Sequence, residues 1–578
     1  MALYQFYNAD LLEVPTGNEE SAVAYVDDAI LIATAKDFHG AHDKILDMMT
    51  RKDGALEWAE KHNSRFEFSK LALIGFAHHS KKLPRPALSL PNAIIEPTSS
   101  AKYLGIILDQ NLNWKEQLAY VTGKGSAWAA QIRRLARPSW GLTPRAARKL
   151  YIGVALPRTL YGLDIWCYPK RVAKVGGKEV RSAAHKKLTT VQRQGALAIT
   201  GGFRTSPTDA LDAHAALLSM HRRMGKILHT AAIRMAALPK KHPLYKPLRH
   251  AARRHVKRHR ALLHELAQVL PDDPDNIETI PTVRANPAYS RMDPITVSIP
   301  QSKEDSRTAD ANAEEEIKVY SDGSMHEGKV GAAAVLYRNG QRTRSLRLHL
   351  GEASKYTVYE AELMGMLLGN IGIHLIKTEK KGRVKCAIGV DNQAAIQALD
   401  SELTNPGQHL AAEFLRVADQ IVLARNGGTQ NYELTVRWTA GHIGIEGNEW
   451  ADREAKKAAE GDNSERFQLP KYLWKPIKMG TSAIKQDYNK RSNEEWKEEW
   501  TASDSYKRLR TPDTVPPASK KFLTLTGDDR ISKQQSSLLF QLRFGHAPLN
   551  AYLHRFKKVE SARCPACGYE REKLTISS

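Results

Sequence analysis

AIGVDNQAAI, residues 387–396, is the stretch whose reading decides the fold. An apolar run from Ala387 to Val390 stops at Asp391 and passes through Asn392 into an alanine-rich helical segment. That is a strand delivering a carboxylate to its own carboxyl end, where ligand sites of α/β sheets collect. Working outward, periodicity predicts strands at 317–321, 330–337, 343–350, 384–390 and 432–438. Helices are expected at about 356–376, 392–399, 408–425 and 447–460. Three antiparallel strands, then strands alternating with helices, make a mixed sheet with helices on its faces.

Further acids sit at comparable places. IKVYSDGS puts Asp322 at the end of the first strand, before a glycine-containing turn. TVYEAELMGMLLG puts Glu362 in a helix whose apolar face carries Leu363, Met366 and Leu367, with Glu360 read as a surface neighbour. TVRWTAGHIGIEGNEWADREA puts His442 in a loop and Asp452 about a turn into the next helix. Singly, each acid fits a helix cap or an exposed charge. Together their order, spacing and context agree. Carboxylates buried side by side are unfavourable unless cations neutralise them, and hard oxygen ligands without Cys or clustered His suit Mg²⁺ or Mn²⁺. Two such ions, about 3.5–4 Å apart, would activate water and stabilise a leaving 3′ oxygen.

The segment from about Ile317 to Gly461 resembles ribonuclease H domains. The resemblance implies that Asp322, Glu362, Asp391 and Asp452 bind two metal ions, with His442 assisting water activation or product release. It implies cleavage of the RNA strand of an RNA–DNA hybrid, read through 2′-OH groups on one strand and deoxyribose on the other. Thr357 matches a family position that contacts a DNA-strand phosphate. SELTNPGQ alone joins the two helices after the fourth strand, so the basic extension of some relatives is missing there.

Substrate grip must then come from elsewhere. Residues 121–260 carry 30 Lys and Arg against four acids, while the whole chain has a net charge of +23. Nearly all the surplus lies in this quarter, and it would repel itself without an anionic partner, which points to nucleic acid. RTLYGLDIWC and ALAITGGFRTSPTDAL resemble the helical region between polymerase and nuclease of non-LTR (LINE-type) retrotransposon polyproteins. LRHAARRHVKRHRALLHELAQVL, residues 248–270, reads as one helix with a cationic start.

AYVDDAIL resembles the catalytic hairpin of reverse transcriptases, with Asp27 and Asp28 at a turn between two strands. A helix is expected at about 40–61, and FEFSKLALIGF and AKYLGIILD read as further strands. They resemble later palm motifs of the same polymerases, and LYQFYNADLL the tail of the preceding one. The palm is thus expected to be truncated, its metal site vestigial, with Asp10, Glu13, Glu19 and Glu20 the only earlier acids and none in a fitting strand.

The expected organisation is multidomain α/β: a truncated palm at 1–118, a basic helical connector at 119–270 and a disordered linker at 271–316. A ribonuclease H domain at 317–461 and a polar C-terminal region at 462–578 follow. Cys564 and Cys567 form half a zinc site, without the family's downstream His and Cys, and His546 and His554 fall outside its pattern, so Zn²⁺ is not expected. Cys167 and Cys386 read as small core residues, and four cysteines suit a reducing compartment. No signal peptide and no membrane span are expected, and the basic runs allow nuclear entry. The first reading is a metal-dependent hybrid ribonuclease with RNA, DNA and hybrid partners. The alternatives are a polymerase needing a missing N-terminal half and a non-catalytic nucleic-acid-binding remnant. This chain alone is expected to give no primer extension on a homopolymer template, and measurable nucleotide incorporation would overturn that.

Overall fold

A computed structural model describes the chain except residues 1, 78–83, 168–172, 176–177, 181, 255–260, 282–294, 377–381, 402–403, 423–429, 508–519, 527–530, 545 and 573–578. It divides into two units: Met1–Gly162 with Lys186–Gly201 and Ser532–Gln534, and the remainder.

In the first unit, β1 (Glu20–Tyr25) and β2 (Asp28–Ala33) form the expected hairpin, with Tyr25 opposite Asp28. Its turn forces Val26, a β-branched residue, to φ +60°, and Asn8 Nδ2 donates to the Val26 carbonyl at 2.7 Å. Helix α1 (Phe38–Thr50) is capped by Asp37, whose Oδ1 accepts from the Gly40 amide at 2.8 Å. The single helix expected over 40–61 is instead two. Asp53 adopts φ +59° and α2 (Ala55–Lys61) starts afresh after Gly54. FEFSKLALIGF is not a strand either. It contains one 3-10 turn, Phe68–Lys70, and a single bridge, Leu73 to Pro97. Phe66, Phe68, Leu71 and Leu73 turn inward onto a core of Met48, Met49, Trp58, Leu88 and Leu90, and that packing replaces a ladder. Within AKYLGIILD, Leu104 (φ +46°) and Gly105 (φ +82°) turn the chain between two short strands, Ser100–Tyr103 and Ile106–Asp109.

The second unit holds the mixed sheet. Among its helices and strands are, in order, α3 (Met220–Ala236), α4 (Tyr245–Arg253), β3 (Thr296–Ser298) and α5 (Lys303–Ala311). They continue with β4 (Ile317–His326), β5 (Lys329–Arg338), β6 (Gln341–Glu352), α6 (Val358–Leu375) and β7 (Gly382–Val390). Then come α7 (Gln393–Gln397), α8 (Gln408–Val422), β8 (Gln430–Trp438), α9 (Glu446–Glu460) and α10 (Thr481–Ala502). The strand order is β3–β8–β7–β4–β5–β6, with β4, β5 and β6 antiparallel and β3, β8, β7 and β4 parallel.

The first strand does not end at Asp322. It continues to His326, and the turn falls at Glu327 (φ +47°) and Gly328. Gly323 serves close packing instead, since a Cβ there would lie 2.4 Å from the Glu362 amide nitrogen of α6. Gly331 plays the same part for α9, where a Cβ would come within 2.1 Å of the Ala459 nitrogen. Helix α6 is buried on every face from Glu360 to Ile373, between the sheet and α8, rather than along one stripe. The core beneath it holds Ile317, Val319, Leu363, Met366, Ile388, Val390 and Phe414. Alternation along β4 turns Tyr320 to the other side, against Ile445 and Ala451.

Residues 271–316 were expected as a disordered linker, yet their described parts are folded. β3 pairs in parallel with β8, and Ser306 of α5 is buried between the Trp438 carbonyl (3.0 Å) and the Ala440 amide (2.9 Å). Ile277 bridges Met479. Glu278 is fully buried and accepts from the Gly407 amide (2.8 Å) and the Thr481 amide (2.7 Å), with His409 Nδ1 3.2 Å away. A buried carboxylate needs such partners, and a sequence without apolar periodicity hides them. The expected helix over 248–270 is likewise interrupted, because Arg254 and Ala261 both take extended backbone angles, and residues 255–260 lie outside the described ones. Among the described residues no helix is long and apolar enough to cross a membrane.

Burial opposes ionisation of Glu278, but His409 and the two amides outweigh it and hold the carboxyl below its usual range. A depressed native pKa contributes stability above the unfolded value, about 4.3 for Glu, and loses it as pH falls through the native value. Glu278→Gln is therefore expected to lower stability at pH 7 by about 1–3 kcal/mol. The deficit should shrink below about pH 4, measured by denaturation across pH.

Candidate active site and metal centre

Ser321 of β4 lies opposite Val390 of β7, so the next residues, Asp322 and Asp391, come side by side at the carboxyl end of β7. Helix α6 crosses directly over Gly323 and brings Glu362 to the same point. One carboxylate oxygen of each of Asp322, Glu362 and Asp391 lies within 4.8 Å of those of the other two. Asp322 and Glu362 are buried, and Asp391 is half-buried. Asn392 caps α7, accepting from the Ala394 and Ala395 amides at 3.0 and 3.3 Å, which pins the strand–helix junction. The Trp438 indole donates to the Asp391 carbonyl at 2.9 Å.

The electrostatics follow from this crowding. Burial, then the Asp391 and Asp452 charges, push Asp322 up to about 7. Burial, then Asp391 and Asp322, push Glu362 up to about 10. Asp391 is also raised, by burial, while its contact with Glu362 and the nearby His442 oppose the shift. Glu362 Oε2 is buried with no hydrogen-bond donor among the described residues. An oxygen without a hydrogen-bond partner beside two further carboxylates fits a hard divalent cation.

The fourth acid stands apart from this trio. Asp452 is half-buried on α9 and close enough to raise its neighbours, but its Oδ2 is paired with Lys456 Nζ at 2.7 Å. His442 is exposed on the loop before α9, at φ +60°, an uncommon conformation for a side-chain-bearing residue. Gly441 lies against the site, where a Cβ would sit 3.1 Å from Asp391 Oδ2. Thr357 is the N-cap of α6 and is already engaged, its amide and Oγ1 donating to Glu360 Oε2 at 2.7 and 3.0 Å.

Glu360 is a correction. It is not a surface residue but buried, completing a capping box with Thr357. Its neighbour Gly480 has room for no Cβ beside the Glu360 carboxylate. The signal was legible as T-x-x-E ahead of an apolar run, Thr357 to Glu360.

The remaining candidates lie elsewhere. Asp27 and Asp28 are exposed at the β1–β2 turn. Glu20 does begin β1, but its carboxylate is tied to Arg51 at 2.8 Å. Cys167 and Cys386 are buried. Cys564 is half-buried and Cys567 exposed, in a tight turn where the Gly568 amide donates to the Cys564 carbonyl at 2.9 Å. His546 is ringed by Tyr552, with centroids 5.2 Å apart, and His554 is exposed. Among the described residues, only Asp322, Glu362 and Asp391 form a metal-sized cluster.

The RNase H family model matches residues 314–460. That match, with the five long strands and the acidic trio at the carboxyl end of β7, makes this segment an RNase H domain. The chain is also similar to LINE-type retrotransposon polyproteins. It is 29% identical over 110 residues to a retrovirus-related Pol polyprotein of the type-1 retrotransposable element R1 of Bradysia coprophila, covering 19% of this chain and 11% of the relative. It is 27% identical over 175 residues to the RNA-directed DNA polymerase of the mobile element jockey of Drosophila melanogaster, covering 28% and 18%. The matches thus span less than a fifth of those relatives. Among solved structures, the N-terminal RNase H domain of a Mycobacterium tuberculosis protein is 18% identical, covering 25% of this chain and 93% of that one with a TM-score of 0.20. RNase H1 of Halobacterium salinarum is 15% identical, covering 25% and 98% with a TM-score of 0.20.

Proposed function

We propose that this protein is a metal-dependent ribonuclease that hydrolyses the RNA strand of RNA–DNA hybrids. The observation that carries this reading is the trio of buried Asp322 and Glu362 with half-buried Asp391, all raised and with Glu362 Oε2 left without a hydrogen-bond partner among the described residues. The acids would hold two Mg²⁺ or Mn²⁺ ions, with Asp452 joining them by giving up its pairing with Lys456. Bound there, the ions would supply an activated water and charge stabilisation at the leaving 3′ oxygen. Asp322 and Asp391, fixed by strand register, set one side of the site, and Glu362 on its helix sets the other. His442, exposed beside Asp391, is placed to accept or pass on a proton at its imidazole. The hybrid as substrate is supported by the relatives. The jockey relative is named as an RNA-directed DNA polymerase, and copying RNA into DNA leaves an RNA–DNA hybrid, the substrate that a nuclease of this kind would take.

The test is cleavage of a labelled RNA–DNA hybrid by the full chain with Mg²⁺, beside duplex DNA and duplex RNA. Hybrid-selective cleavage is expected, stopped by EDTA, and slowed at least about 100-fold by Asp391→Asn, a loss of about 2.7 kcal/mol of transition-state stabilisation. Mn²⁺ should also raise the melting temperature of the wild type but not of the variant. No cleavage by either protein would favour a non-catalytic, nucleic-acid-binding remnant.

A further inference from the structure

Helix α4 carries two rows of cations that differ in what holds them. Arg249 is buried, donates to Asp275 and to the Ala236 and Pro274 carbonyls (3.3 and 3.2 Å), and lies 3.4 Å above the Tyr245 ring. Arg253 pairs with Asp273 at 3.4 Å and with Asp275. This row is structural: it fastens α4 to the segment that leads to the buried Glu278. The second group is Lys246 and His250, four residues apart on the helix, with Arg254 just past its end, and all three are exposed. Among the described residues none has a carboxylate partner, and Arg254 Nη1 lies only 3.5 Å from His250 Nε2. That contact is a hydrogen bond from the Arg254 guanidinium to the His250 ring, and it leaves the charges of Lys246 and Arg254 without a carboxylate to neutralise them among the described residues.

Both rows open on one cavity of about 630 Å³, walled by these five residues with Tyr245, where Asp275 is the sole acid. Asp275 is already spent on Arg249 and Arg253. The cavity is therefore lined mainly by basic side chains, with Lys246 and Arg254 lacking a carboxylate partner among the described residues. We propose that Lys246, His250 and Arg254 form a docking site for the sugar–phosphate backbone of nucleic acid. Lys246 and His250, about 6 Å apart along the helix, with Arg254 just beyond its end, offer donors along one edge to consecutive phosphates of a strand, which holds the backbone without reading bases. The site rests on the nuclease reading for its purpose. The segment behind α4 reaches the nuclease domain through the Glu278 bonds to Gly407 and Thr481, so a strand held here is held by a surface anchored to that domain.

The experiment measures binding rather than cleavage. The full chain carrying Asp391→Asn is titrated in EDTA with a labelled RNA–DNA hybrid over a range of salt, with and without Lys246→Gln/Arg254→Gln. The double variant is expected to bind about tenfold or more weakly at low salt, with the slope of log affinity against log salt reduced by about two, near one per lost phosphate contact. Duplex DNA and single-stranded RNA should show the same loss. Unchanged affinity and slope would overturn the site, as would a loss confined to one base sequence. Lys246→Glu at its exposed position gives the same direction should the double variant melt early. A slope change, with no hybrid cleavage by the Asp391-bearing chain in Mg²⁺, would sink the nuclease reading and keep the site, whereas cleavage by that chain with an unchanged slope would do the reverse.

Discussion

The crowding of three carboxyl groups, held within 4.8 Å of one another by the fold, is the constraint on which the RNase H domain turns. Side chains left to themselves would separate. Here they cannot, because two sit on neighbouring strands in fixed register and the third on a helix laid against a glycine. The strain shows as carboxyls that hold protons far above their ordinary range. The packing around Val319, Leu363 and Ile388 supplies the rigidity that keeps the three groups together.

Much of this was legible in the chain, because the strands of the domain are long and strongly apolar. Their order and the mixed sheet emerge from periodicity, and Asp391 from its place at a strand end, while Asp322, Glu362 and Asp452 were picked out by their order and spacing. What escaped lay where local pattern and tertiary packing disagree. Asp322 looked like the start of a turn because Gly323 follows it, but that glycine admits a helix instead. Glu360 looked exposed because it is charged, yet a capping box and burial claim it. Glu278 lay in a stretch of Pro, Asp and Thr with no periodicity at all, and its partners are more than a hundred residues away. No local signal reports contacts of that range.

The basic quarter shows how composition and structure divide the work. Charge counting points to a polyanion, but it cannot separate cations that brace the fold from those left over. Arg249 and Arg222 are nearly enclosed, and each is matched to carboxylates, Asp275 for the first and Glu495 and Glu499 for the second. Lys246 and Arg254 are not. Only geometry draws that line, and it falls between adjacent faces of one helix.

The short strand β3 has a consequence of its own. It covers Thr435 to Arg437 of β8, the outermost long strand of the sheet. Without it, those amides and carbonyls would form an open rim, a template on which another chain could add a strand. A fragment trimmed to begin at Ile317 would lose this cover together with Ser306 and its two bonds. Its tendency would be to self-associate edge to edge, so the practical boundary of the domain lies upstream of where its own sheet pattern begins.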